Sequence, residues 1–246
     1  MNDFNLLGAK EFWNPFKRYG FTHSFYNITT DTIIATWVVL IVILLLIVIG
    51  RLVFKNKKSR VRYALITATE GFMDLCTQTL GTFNFHHFSF VFALFIFILI
   101  CNTISLLPYL EEPTADLSTT LALGTLSFLY ANYYAIKAQG IKEYIKEFFQ
   151  PFFIMFPLNV VGKLASIISI SFRLFGNMLG GSVIANIYTS SVSSHWVGIL
   201  ANFCGFNLLM AFFFTIFAGS IQAFVFAMLS LTYLSLGIQG EHSEGS

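Results

Sequence analysis

The sequence predicts an all-α integral membrane protein with about five membrane-embedded helices plus an interfacial helix, the last two long and steeply tilted. Three observations predict it. Hydrophobic residues make up 56% of the 246 and charged residues only 11%, with a mean hydropathy of +0.74, whereas a soluble domain carries about a quarter charged residues. The apolar residues come in blocks too long and too uniform for the half-buried helices of a globular core. The basic residues are segregated: of 14 Lys and Arg, nine fall in two predicted inner connections and three in the N-terminal tail, with none in the predicted outer connections.

Residues 1–30 read as an outer tail. Asp3 and Glu11 interrupt any apolar core, and no small-residue cleavage site precedes the first span, so a signal peptide is not expected. Phe4, Phe12, Trp13, Phe16, Tyr19, Phe21, Phe25 and Tyr26 are mixed with Lys10, Lys17 and Arg18. That mixture suits a membrane–water interface, and a partly ordered tail accounts for it equally well. A single polytopic membrane domain follows over residues 31–240, with a C-terminal tail over 241–246.

The first span runs from about Ile33 to Ile49 and meets Arg51, Lys55, Lys57, Lys58, Arg60 and Arg62 with no acid among them. Positive charge beside a span end marks the inner side, so the N-terminus lies outside and the C-terminus inside. Tyr63–Phe85 is mixed, with Glu70, Asp74 and Gln78, and reads as an interfacial or tilted helix. Phe88–Leu107 is a second span, ended by Pro108. The connection Glu111-Glu112-Pro113-Thr114-Ala115-Asp116 is acidic, as an outer loop should be. Leu117–Ile136 is a third span, returning the chain to Lys137, Lys142 and Lys146, which alternate with Glu143 and Glu147 on a short inner helix.

After Pro157 no proline occurs. Leu158–Ile187 would make a helix of roughly 45 Å and Trp196–Ile238 one of roughly 65 Å, at 1.5 Å per residue. A hydrocarbon core of about 30 Å forces such helices to tilt, bend at Gly205 or Gly219, or leave the bilayer. An oblique hairpin over 157–238 is expected, its polar turn Thr189–His195 outside.

Residues 151–240 contain only two charges, Lys163 and Arg173, and no carboxylate. An Arg at mid-bilayer costs about 2.5–3.5 kcal/mol on insertion scales, and such a residue marks a pathway or pairs with an acid. The hairpin offers no acid, so the partner must come from elsewhere. Ser166, Ser169, Arg173, Gly176/Asn177 and Gly180 share one helical face. Asn207, Ala211, Thr215, Ala218/Gly219 and Gln222 form a matching stripe on the second helix. Small residues in such stripes equally describe helix-packing seams, but packing needs no guanidinium. Cys76, Cys101 and Cys204 lack metal-ligand spacing, no phosphate-cradling Gly-rich motif occurs, and neither cofactor, metal nor nucleic acid is implied. His86 and His87 point to different helix faces, so they would not share a metal. Proton relay and interfacial packing both remain open for them.

Ser171-Phe172-Arg173-Leu174-Phe175-Gly176-Asn177-Met178 resembles the signature of the a subunit of the F-type ATP synthase membrane sector, the ATPase subunit 6 family. Three further segments resemble that family in the same order: Asn102-Thr103-Ile104-Ser105-Leu106-Leu107-Pro108-Tyr109, Pro113-Thr114-Ala115-Asp116 with Thr119 and Thr120, and Ile221-Gln222-Ala223-Phe224-Val225-Phe226. The similarity runs from about residue 33 to 237. It implies a stator subunit, one copy per hetero-oligomeric complex, whose hairpin faces a ring of c subunits and which contacts b-type peripheral stalk subunits and lipid. Two offset half-channels would carry protons to and from the ring carboxylates, with no nucleotide chemistry in this chain. Arg173 would be the essential arginine. Asn177, Gln222, Ser169, Ser182, Thr215, Asp116, Glu111, Glu112 and Asn102 are the candidates for the proton path. The resemblance implies an energy-coupling membrane, foremost a bacterial inner membrane, with organellar and thylakoid membranes left open.

The chain departs from the family pattern at four places. Ser182 stands where a carboxylate or histidine is frequent, Thr215 where a histidine or glutamate is frequent, and Lys163 where many members have glutamate. Ser166-Ile167 replaces a basic residue and proline. Ser182 and Thr215 do not titrate, which leaves the outer acids Glu111, Glu112 and Asp116 as a cation-gathering vestibule or as a merely solvated loop. A self-contained secondary transporter would show an internal repeat, and none is found between the two halves. A scaffold subunit of another complex would not need Arg173.

Overall fold

The computed structural model describes residues 12–13, 28–55, 60–104, 112–149, 152–192 and 212–239. A two-residue antiparallel ladder, β1 (Phe12–Trp13) with β2 (Ile28–Thr29), is followed, among the described residues, by helices alone. These are α1 (Thr30–Lys55), α2 (Arg60–Leu80), α3 (Phe85–Thr103), α4 (Leu117–Gln139), α5 (Ile141–Glu147), α6 (Phe156–Val192) and α7 (Gly219–Gln239). Short 3-10 turns at Pro113–Ala115 and Phe153–Met155 precede α4 and α6, and a π-helical segment, Phe212–Ala218, runs directly into α7. Among the described residues, four stretches are long and apolar enough to cross a membrane: Thr32–Lys55, Phe85–Thr103, Phe153–Ile184 and Phe212–Ile238.

The helix ends follow local chemistry. α2 stops where Gly81 takes a φ of 72° and returns its N–H to the Thr77 carbonyl at 2.9 Å, a left-handed cap that glycine adopts without a Cβ penalty. Asn84 then caps α3, its side chain accepting from the His86 N–H at 3.0 Å. Gly140, at φ 88°, separates α4 from α5. Several boundaries differ from the sequence reading. α1 continues past Ile49 and Arg51 to Lys55, since solvated Arg and Lys are good helix formers. α6 extends to Val192, so Thr189–Val192 of the expected polar turn is helical; the stretch contains neither Gly nor Pro to stop it. The remainder of that turn, Gly205 and most of the N-terminal tail lie outside the described residues.

α7 is the central element, packed chiefly against α3 and α4, while α4 in turn packs against α6. Its buried positions, including Gln222, Ala223, Phe226, Ala227, Ser230, Leu231, Leu234 and Ser235, recur at helical spacing. Phe226 lies fully buried among Leu94, Ile98, Ile170 and Leu174, and a second cluster joins Phe72 and Cys76 of α2 to Val91, Ala227 and Leu231. Small residues set the α4–α6 spacing. A Cβ on Gly124 would lie 2.1 Å from Ser171 Oγ and 3.4 Å from the Ile167 carbonyl oxygen, so glycine there is what permits the approach. Only 6% of the apolar window of Phe153–Ile184 and 11% of that of Thr32–Lys55 are buried. Within one chain these helices therefore present whole apolar faces outward.

Candidate functional site

Arg173 lies on the outward face of α6. Ser169, Gly176 and Asn177 are exposed beside it, and Val161, Leu164, Ile168 and Phe172, each about half exposed or more, form the adjoining apolar stripe of the same helix. Among the described residues Arg173 makes no ion pair, and no acid occurs on this helix. A guanidinium on the uncovered side of a membrane helix is costly in lipid unless water or an acid meets it.

One α-helical turn along, Asn177 Nδ2 donates to Gln222 Oε1 at 2.7 Å. Gln222 is only 4% exposed, so the hydrogen bond reaches from the interior of α7 to the edge of the arginine face. Its Nε2 is buried with no partner among the described residues. Such a group costs free energy until something accepts from it.

The outer candidates are held differently. Ser182 Oγ donates to the Leu179 carbonyl of its own helix at 2.9 Å. Thr215 is buried in the π-helical segment. The chain neighbours of these two residues meet, because Phe214 packs over Gly181, where an added Cβ would be 3.5 Å from Phe214 Cβ. Asn102 is fully buried, donating from Nδ2 to the Gly219 carbonyl at 2.9 Å and accepting at Oδ1 from Thr114 Oγ1 at 2.8 Å. Asp116 caps α4. Its Oδ1 accepts from Ser118 N at 3.1 Å and Ser118 Oγ at 2.9 Å, and its Oδ2 accepts from Thr32 Oγ1 of α1 at 3.1 Å. Glu112 precedes the 3-10 turn, its carbonyl accepting from the Ala115 N–H at 3.0 Å. Glu111 lies outside the described residues. The structure thus joins Asn177 to Gln222 and Asn102 to Thr114, and it ties Asp116 to α1. Ser169 is exposed on the face of Arg173.

The family model described as ATP synthase A chain matches residues 33–235. The chain belongs to this family. It is 31% identical over 210 residues to the ATP synthase subunit a of Moorella thermoacetica, covering 85% of this chain and 91% of that protein. It is 34% identical over 226 residues to the sodium ion specific subunit a of Propionigenium modestum, covering 83% and 73%. It is 33% identical over 219 residues to the subunit a of Syntrophobacter fumaroxidans, covering 84% of each. The chain is therefore a multi-pass membrane protein and a non-catalytic, ion-translocating subunit of the ATP synthase complex.

Against the family background, Lys163 forms a contact that sequence reasoning missed. Its Nζ lies 3.4 Å from Glu147 Oε1, 4.5 Å from the Tyr144 ring centroid and 4.1 Å from that of Phe148. The Lys163 and Glu147 side chains are 32% and 27% exposed, so screening leaves the ion pair a modest share of the stabilisation, alongside the cation–π contacts. Tyr144 also hydrogen-bonds Asn132 of α4. Burial, and secondarily the charge of Glu147, push its phenol above the ordinary value, so it stays neutral. Lys163 is thus a latch between α5 and α6, and no pattern within either helix announces the pairing. His87 packs edge-on to Tyr134 with centroids 4.5 Å apart, its Nδ1 3.1 Å from Tyr130 Oη, while His86 is exposed. The two histidines diverge as expected, and His87 is a packed interior residue.

Proposed function

We propose that this subunit is the stator of a rotary proton pathway, in which the outward face of α6 opposes a ring of c subunits. Protons enter from outside through one half-channel, ride a ring carboxylate past Arg173, and leave through an offset inner half-channel. Each proton crossing 100 mV supplies about 2.3 kcal/mol to rotation. The observation that carries this reading is Arg173 itself, exposed beside small and polar residues on the outward side of an otherwise apolar helix without acids. A fixed internal salt bridge would compete with the ring carboxylate, and an acid-free face avoids that competition. Arg173 disfavours protonation of the passing carboxylate by charge and blocks direct leakage between the half-channels.

In this reading the inner path begins at Ser169. The outer path passes from Glu111, Glu112 and Asp116 to water held by Asn102, Thr215, Ser182, Asn177 and Gln222. α4 is the fifth embedded helix and α2 the interfacial one. Peripheral stalk subunits and lipid cover the apolar faces left outside the ring contact, including that of α1. Charge asymmetry supports an outer N-terminus over residues 1–30, one membrane domain over 31–240 and an inner tail over 241–246. The bacterial relatives support a bacterial plasma membrane.

The ring contact is tested by cross-linking. In the assembled complex, Ser169→Cys, one turn from Arg173 on the same face, should form a disulfide with a cysteine one turn from the ring carboxylate, and Leu94→Cys, buried in the bundle, should not. Cross-links from Ser169→Cys to another subunit, with none to the ring, would overturn the assignment.

Asp116 allows charge to be separated from capping. Asp116→Asn keeps a good helix cap and removes the charge, so proton uptake from outside should slow while coupling persists. Asp116→Ala should in addition lose about 1 kcal/mol of helix stability. Unchanged ATP synthesis by Asp116→Asn vesicles at every outer pH would rule out the vestibule.

A further inference from the structure

The entry to α7 is unusual in its backbone. Residues 212–218 form a π-helical segment, with i→i+5 hydrogen bonding, before the α-helix begins at Gly219. A π turn carries one residue more than an α turn, and such turns recur at functional sites. The extra residue has no intrinsic address. Moved along the helix by a register slip, it would rotate one side against the other by about 100°, the angle of one helical residue.

Contacts from two other segments converge on the junction. Asn102 Nδ2 donates to the Gly219 carbonyl at 2.9 Å. Gly219 itself admits Asn102, since a Cβ there would lie 3.1 Å from Asn102 Cβ. Thr114 Oγ1 donates to Asn102 Oδ1 at 2.8 Å and so fixes which end of the amide faces Gly219. Asn102 and Thr114 are both fully buried, and Gly219 is buried with them. Three residues beyond the gripped carbonyl lies Gln222, bonded to Asn177 beside Arg173.

We propose that Asn102, oriented by Thr114, is a positioning residue that pins the π turn of α7 in register and thereby holds Gln222 against Asn177 at the arginine face. The proposal rests on the rotary reading for its functional consequence and on the contacts around Gly219 for its structural one. A slipped turn would leave the chain folded and membrane-embedded but would swing Gln222 or Phe214 away from α6.

The register can be read directly. An added Cβ at Gly181 would lie 3.5 Å from Phe214 Cβ, within the separation a disulfide spans, and Phe214 belongs to the π segment. In the assembled complex, Gly181→Cys with Phe214→Cys should therefore form an intrachain disulfide on oxidation, detected by protection from a bulky maleimide. Adding Asn102→Leu, similar in shape but unable to hydrogen-bond, should shift the balance between the bonded and slipped registers about tenfold, the factor set by loss of one buried hydrogen bond, and should lower the yield at limiting oxidant. Thr114→Val should lower it in the same direction and Thr114→Ser should restore it. On the background without introduced cysteines, Asn102→Leu and Thr114→Val should pump fewer protons per ATP hydrolysed. Full cross-linking with Asn102→Leu or with Thr114→Val would overturn the clamp, whatever the pumping. Should Asn102→Leu not assemble, the Thr114→Val and Thr114→Ser pair decides. Proton pumping by Arg173→Ala would sink the rotary reading instead, and the cross-link would still judge the clamp.

Discussion

Membrane vesicles carrying Arg173→Ala are expected to hydrolyse ATP without acidifying, while the complex still assembles. Assembly survives because the substitution removes an exposed charge from a membrane-embedded helix. Placing that charge at mid-bilayer costs about 2.5–3.5 kcal/mol, and among the described residues no protein ion pair is broken by its loss. Transport is lost because nothing else in the hairpin carries positive charge at that level; Lys163 is ten residues back and engaged with Glu147. Arg173→Lys should also fail, since an ammonium lacks the planar fork of donors and shifts its pKa readily when desolvated. The measurement is ATP-driven quenching of a pH-sensitive dye, with hydrolysis and subunit content assayed in parallel. Substantial acidification by Arg173→Ala without a second-site change is the outcome that sinks the rotary reading.

Phe226→Ala should act through packing. Phe226 is fully buried among Leu94, Ile98, Ile170 and Leu174, and so joins α7, α3 and α6 next to Arg173. Phe→Ala in a core costs about 3–5 kcal/mol. In a bilayer the transfer-from-water part is absent, because lipid is as apolar as the core, and lost van der Waals contact remains. A value near the low end, about 3 kcal/mol, is expected. Assembled complex on native gels should fall several-fold, and its thermal dissociation should shift downward. Phe226→Leu, which refills most of the space, should recover much of the loss. Undiminished assembly in Phe226→Ala would show that α7 is held by its polar ties, such as Ser235 Oγ to the Thr79 carbonyl at 2.7 Å and Gln139 Nε2 to the Gly237 carbonyl at 2.8 Å.

Hydropathy, charge asymmetry and a fixed bilayer thickness are local or additive quantities, and by themselves they determined the membrane class, its long apolar helices and the isolation of Arg173 in an acid-free stretch. They do so because a bilayer tests each segment for length and apolarity independently of its neighbours. The motif around Arg173 placed the family, and the match over residues 33–235 agrees with it. What only the tertiary structure decided are pairings between distant residues: Asn177 with Gln222 across 45 positions, Asn102 with Gly219 across 117, Thr32 with Asp116 across 84. Each depends on helix rotation and depth, which a spacing of three or four leaves undetermined. The π turn was illegible for a related reason. Thr215, Gly219 and Gln222 keep helical spacing in the sequence whether or not a turn is widened, and the widening shows only in the backbone hydrogen bonding. The α6 terminus escaped because polarity alone does not end a helix; Thr189–Val192 offers neither the left-handed freedom of glycine nor the missing N–H of proline.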